Sequence, residues 1–135
     1  MTAVLLYFAV LVPFLAIDAV WLRFVMLPIF ERHIGPLMAE NPRYEVAAIF
    51  YLFYIAGVVW FAAWPGLKAG APLMALGNGV LLGLLAYGTY EATNMATLRG
   101  WSWQMVITDT AWGAALTGIA AALGVLVLRA AGKAG

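Results

Sequence analysis

Asp18, Glu91 and Asp109 each interrupt an apolar stretch that is otherwise long enough to cross a bilayer. An ionisable side chain inside a membrane span costs at least ~2.5 kcal/mol on insertion scales, and such groups mark proton or substrate paths by default. Their depths can be compared from helix rise, roughly 1.5 Å per residue. Asp18 stands ten residues before Pro28, Glu91 eight before Arg99, and Asp109 six after Trp103. With successive spans antiparallel, all three carboxylates are expected at a similar depth, on the side of the longest connection. Carboxylic acids in that setting can act as general acid or base, so Glu91, Asp109 and Asp18 are the candidate catalytic groups. Tyr87, Tyr90, Glu91, Asn94 and Thr97 form a stripe at i, i+3, i+4 and i+7. Asp18 and Trp21 share a helix face, as do Asp109 and Trp112, and Tyr51 and Tyr54 fall at matching depth. The resulting order D-x-x-W, Y-x-x-Y, Y-x-x-Y, D-x-x-W reads as a mirrored repeat, of a kind that chance also produces in an aromatic-rich chain. Trp21, Tyr51, Tyr54, Tyr87, Tyr90, Asn94, Thr97 and Trp112 are therefore the candidate ligand-binding residues. The competing reading is interhelical glue, in which the acids are satisfied by neighbouring hydroxyls and amides.

Four helices must position these groups. Of the 135 residues 66% are apolar and only 10% charged, against about a quarter charged in soluble domains. The apolar excess must therefore face lipid, in a single domain covering 1–135. Roughly 20 apolar residues make a span, and the runs fall at about 3–28, 45–64, 72–97 and 103–129. They are bounded by proline, glycine and charge. Continuous rather than alternating hydrophobicity excludes strands of a β-barrel. The fold class is all-α: an integral membrane four-helix bundle running up-down-up-down. The connection 29–44 holds Glu31, Arg32, His33, Glu40 and Arg43, and an interfacial helix and a solvated loop both fit it. Pro13 is expected to kink the first span and free the carbonyl of Ala9. Gly79 and Gly83 form a GxxxG pair, with Ala114, Gly118 and Ala122 at the same spacing in the fourth span. Trp101 and Trp103 are expected to anchor the membrane interface.

Composition also excludes classes. A net charge of +1 without a basic run offers nothing to a nucleic-acid backbone. The absence of cysteine removes disulfides, thiolate metal sites and thiol catalysis. One histidine, His33, speaks against haem and zinc, and no cofactor is expected. A divalent cation at Asp18, Glu91 and Asp109, with Asn94, is compatible with their oxygen donors. The first apolar run lacks a basic leader and is too long for a signal peptide. Lys68, Arg129 and Lys133 lie with the amino terminus on one side, and Arg32, Arg43 and Arg99 on the other, with Arg23 near the boundary. This count is nearly a tie, and both termini are expected in the cytoplasm.

The strings Asp18-Ala-Val-Trp21-Leu22, Tyr87-Gly-Thr-Tyr90-Glu91-Ala-Thr93-Asn94-Met-Ala-Thr97-Leu98 and Asp109-Thr-Ala-Trp112-Gly113 resemble the bacterial membrane-protein family catalogued as domain of unknown function 2177. The resemblance spans nearly the whole chain, and Y-x-x-Y-[DE]-x-T-N-x-A-T is its most specific part. It implies a four-span protein of the bacterial inner membrane and no established activity.

Three functional readings follow. In the first, an aromatic pocket around a few polar groups binds or acts on a lipidic or otherwise apolar small molecule. No nucleophile, cofactor motif or metal cluster selects a reaction, so whether the chain is an enzyme stays open. In the second it is a small proton-coupled transporter, similar in general outline to the small multidrug-resistance class, whose members work as dimers; a homo-oligomer is compatible with this. In the third it is an interaction subunit without a ligand of its own, besides the surrounding lipid bilayer.

Overall fold

The computed structural model describes residues 1–133, so the last two residues of the single domain lie outside the described residues. Four helices are long and apolar enough to cross a membrane: α1 (Thr2–Leu37), α2 (Tyr44–Ala69), α3 (Pro72–Thr97) and α4 (Trp103–Ala130). At 26 to 28 residues, α2 to α4 span roughly 39–42 Å, enough for a hydrocarbon core of about 30 Å with a margin at each end. Apolar side chains such as Phe53, Trp60 and Leu73 point outward, as lipid-facing positions should.

The buried side of each helix is a row of residues four apart, one above the other on one face. In α1 this row is Leu6, Val10, Phe14 and Asp18; in α3 it is Ala75, Gly79, Gly83 and Glu91. In α4 it runs from Met105 through Gly113, Thr117 and Ala121 to Val125, with Asp109 at the second step. The acids thus continue rows whose other members are small or apolar core residues. Their positions in the row turn them inward, whatever their charge costs.

α3 and α4 form the most extensive pairing and α1 joins them through α4. Glycine makes the α3–α4 seam: a Cβ on Gly79 would come within 2.7 Å of the Gly118 Cα, and one on Gly83 within 2.7 Å of the Ala114 Cα. The two backbones therefore lie in direct contact, the arrangement expected of small-xxx-small spacing where lipid removes the hydrophobic drive. Gly70 (φ 63°) closes α2 in the left-handed region and allows the tight return into α3.

Both proline-bearing helix ends carry the same device. α1 widens into a π turn over Leu22–Met26, just before Pro28, and α2 does so over Val59–Ala63, just before Pro65. Proline cannot donate to the carbonyl four residues back and its ring crowds that carbonyl; a wider turn relieves both. The carbonyl that Pro65 leaves unpaired, that of Phe61, accepts instead from the Asn78 side chain at 3.2 Å. Pro28 therefore does not end the first helix. The segment 29–37 continues it, with Met26 and Ile29 buried against Met105 of α4 and His33 3.1 Å from Gln104.

Candidate functional site

The three acids converge. Trp112 Nε1 donates to Asp18 Oδ1 at 3.2 Å, and the Tyr51 hydroxyl is a second side-chain donor to Asp18. Trp101 Nε1 donates to Glu91 Oε1 at 2.8 Å. Asp109 lies beside Glu91 and close enough to Asp18 to feel its charge. Glu91 is wholly buried, and its second oxygen, Oε2, has no hydrogen-bond partner among the described residues. Glu91 and Asp109 each lie six residues from a helix end, Thr97 and Trp103, or roughly 9 Å inward. The acid layer therefore sits just below one face of the bundle.

Aromatic rings frame this layer. Trp21 stacks on Trp112 with centroids 4.1 Å apart and planes 5° from parallel. Tyr54 meets Tyr87 edge to face at 6.2 Å, and its hydroxyl lies 2.9 Å from the Thr117 hydroxyl. Gly113 lets the Tyr87 ring lie flat on α4, for a Cβ there would collide with the ring. The Tyr87 hydroxyl and the Trp21 indole N–H are buried and have no partner among the described residues.

A cleft of about 390 Å³ opens beside the acids, lined among others by Asp18 and Asp109, by Trp21, Tyr51, Tyr54, Tyr87 and Tyr90, and by Phe50. It is open on one side because the first two turns of α2, residues 44–50, are exposed and stand off the other helices. Most of its surface is apolar. Of the residues singled out from the sequence, Asp18, Asp109, Trp21 and the four tyrosines line this cleft. Glu91 lies behind Asp109, and Trp112 orients Asp18 without lining it. Asn94 contacts the exposed Tyr90, and Thr97 turns back to its own helix, bonding the Thr93 carbonyl at 2.8 Å. Neither Asn94 nor Thr97 is part of the cleft wall.

Trp101 departs from expectation. Trp103 is exposed, as an interfacial residue should be, whereas Trp101 turns inward to hold Glu91 and packs against Tyr90 and Phe30. The two tryptophans straddle Ser102, which caps α4 by accepting from Met105 N, so their side chains leave the turn in different directions. Sequence reasoning also passed over Leu22, Met26 and Phe30. They extend the Asp18 row by further steps of four along α1 and line the same cleft. Among the described residues, no group of three or more His, Cys, Asp or Glu is arranged to hold a metal ion.

No curated protein and no solved structure matches the chain. A family model described as "Predicted membrane protein (DUF2177)" matches residues 3–126, which takes in all three acids, the aromatic frame and nearly all of the four helices. The chain belongs to that family of membrane proteins.

Proposed function

We propose that this membrane protein binds a lipidic or otherwise apolar small molecule, admitted to the cleft from the bilayer. The observation that carries the reading is a mostly apolar, aromatic-walled cleft of about 390 Å³ whose missing wall is the splayed start of α2. Its size lies within the range of small-molecule sites, and its few convergent polar groups are of the kind that fix a ligand's orientation. Asp18 and Asp109 line the cleft and are the groups placed to exchange a proton with an occupant; Glu91 acts through Asp109. Tyr51 and Tyr87 orient it.

The test is Ala86→Trp. Ala86 lines the cleft and takes no part in the acid layer, so an indole there fills the space. Purified wild-type protein is expected to retain an apolar molecule through extraction into lipid nanodiscs, detected by native mass spectrometry. The variant is expected to lose most of it at an unchanged melting temperature. Equal retention by the two proteins would overturn the proposal. A second reading, proton-coupled transport, draws on the side-by-side placement of Glu91 and Asp109, and differs in requiring proton release when the molecule binds.

Both termini lie at the face opposite the acid layer, and we place that face in the cytoplasm of a bacterial inner membrane, although lysine and arginine are nearly evenly divided between the two faces. The cleft then opens in the outer half of the bilayer. Because the chain has no cysteine, single Glu40→Cys and Lys133→Cys variants report this directly. An impermeant maleimide applied to intact spheroplasts is expected to label the first and spare the second; the reverse pattern inverts the assignment.

A further inference from the structure

The cleft combines three features that choose between classes of occupant. First, its acids have no positive partner among the described residues: Asp18 is held by Trp112 and Tyr51, Glu91 by Trp101, and Asp109 lies beside Glu91. The nearby cation, Arg23, is exposed and lies over the Phe24 ring 5.7 Å away, on the outside of α1. Second, seven aromatic rings, those of Trp21, Phe30, Phe50 and the four tyrosines, surround the same space, and aromatic faces attract cations. Third, Glu91, wholly buried, keeps an unpartnered oxygen, and the Tyr87 hydroxyl is buried without a partner at the cleft wall. Two carboxyl groups, those of Asp18 and Asp109, and among the described residues no positive group therefore meet a ring-lined space of low polarity, where charge preferences are amplified.

We infer that the cleft takes an amphiphile whose polar end is a monovalent ammonium-type cation, seated among Asp18, Asp109, Tyr51 and Tyr87, with its tail leaving between α2 and the bilayer past Ala47 and Phe50. This rests on the proposed ligand-binding role of the cleft and adds the sign of the ligand's charge. Ala47 and Phe50 line the cleft and are themselves exposed, so a tail following them passes into lipid without further opening of the bundle. An anionic head in the same place would meet the acids without a compensating charge, and a neutral one would forgo the ring faces.

Three probes of equal chain length test it: dodecyltrimethylammonium, dodecanol and dodecanoate, titrated into the full chain in neutral phosphatidylcholine nanodiscs, with empty nanodiscs correcting for partitioning. Binding is followed by tryptophan fluorescence, with Trp21→Phe identifying the cleft signal. The ammonium is expected to bind about tenfold or more tighter than the alcohol, and the carboxylate most weakly. In the Asp18→Asn/Asp109→Asn variant, whose amide oxygens keep acceptors for Trp112 and Tyr51, the ammonium is expected to fall to the level of the alcohol. If alcohol and ammonium bind wild type equally and Ala86→Trp blocks both, the charge assignment is wrong while the cleft remains a binding site. Preference for the carboxylate overturns it too. If Ala86→Trp blocks none of the probes, the binding role itself fails. Should the double variant not fold, the order of the three probes on wild type decides alone.

Discussion

Trp112→Ala is expected to lower the unfolding free energy by about 3–4 kcal/mol, near the middle of the range for removing a large aromatic side chain. Three losses combine at this position. The indole gives up its buried area, its stacking partner at 4.1 Å, and its hydrogen bond to Asp18 at 3.2 Å. Stacked rings contribute about 0.5–1.5 kcal/mol beyond their area, and a carboxylate deprived of a donor inside the bundle costs about 1–3 kcal/mol. Trp112→Phe separates these. It retains a ring against Trp21 and removes only the donor, so it should cost about 1–2 kcal/mol, with Tyr51 still bonded to Asp18. Both values come from reversible unfolding in mixed micelles, followed by near-ultraviolet circular dichroism, where the stacked indole pair should itself contribute a signal that Trp112→Ala abolishes. A Phe variant as unstable as the Ala variant would show that the hydrogen bond, and not the stack, holds α1 to α4 here.

That pair also shows what could be read in the chain before any coordinates. The four helices follow from apolar runs separated by glycine, proline and charge, because in lipid hydrophobicity alone selects the spans. The meeting of Glu91 with Asp109 follows from counting residues to the helix ends, whereas the count that brings Asp18 to their level runs from Pro28, where the helix does not end. The direction in which each acid points follows from its place on a row of four: Leu6, Val10, Phe14, Asp18 is a core stripe that ends in a carboxylate. The mirrored D-x-x-W repeat acquires a physical meaning once α1 and α4 are set side by side, since Trp21 then stacks on Trp112.

Other features were illegible for stated reasons. Pro28 reads as a helix end because proline removes a donor, yet a π turn over Leu22–Met26 absorbs the lost bond and the helix runs on. Trp101 reads as an interfacial anchor by composition, while its inward turn to Glu91 depends on the geometry of the α3–α4 turn. Gly100 permits that turn with φ 82°, packing against the His33 carbonyl of the extended α1. The cleft is the hardest case. It exists because residues 44–50 stand away from their neighbours, and the apolar side chains there look the same in sequence whether they face a helix or lipid.

The seam between α3 and α4 carries the second large effect, since the acid layer inherits its geometry from it. Gly83→Leu is expected to destabilise the bundle by about 3 kcal/mol, the upper end of the usual range for overpacking, with the cost falling on backbone rather than on adaptable side chains. Even the first added carbon would stand 2.7 Å from the Ala114 Cα, so the helices must separate along their most extensive pairing. Water does not drive them back together in a bilayer, and the lost van der Waals contact goes uncompensated. Separation also reaches the site, because Gly83 lies two turns below Glu91 on the same row and Gly113 seats the Tyr87 ring. The variant should therefore lose cleft binding together with stability. Gly77→Leu is the matched control: a Cβ at Gly77 meets nothing within 4 Å, and leucine favours the helix by roughly 0.5–1 kcal/mol over glycine. It should melt at or above the wild-type temperature and bind normally. If Gly83→Leu and Gly77→Leu behave alike, the two helices do not touch through their glycines, and the meeting of Glu91 with Asp109 loses its structural basis.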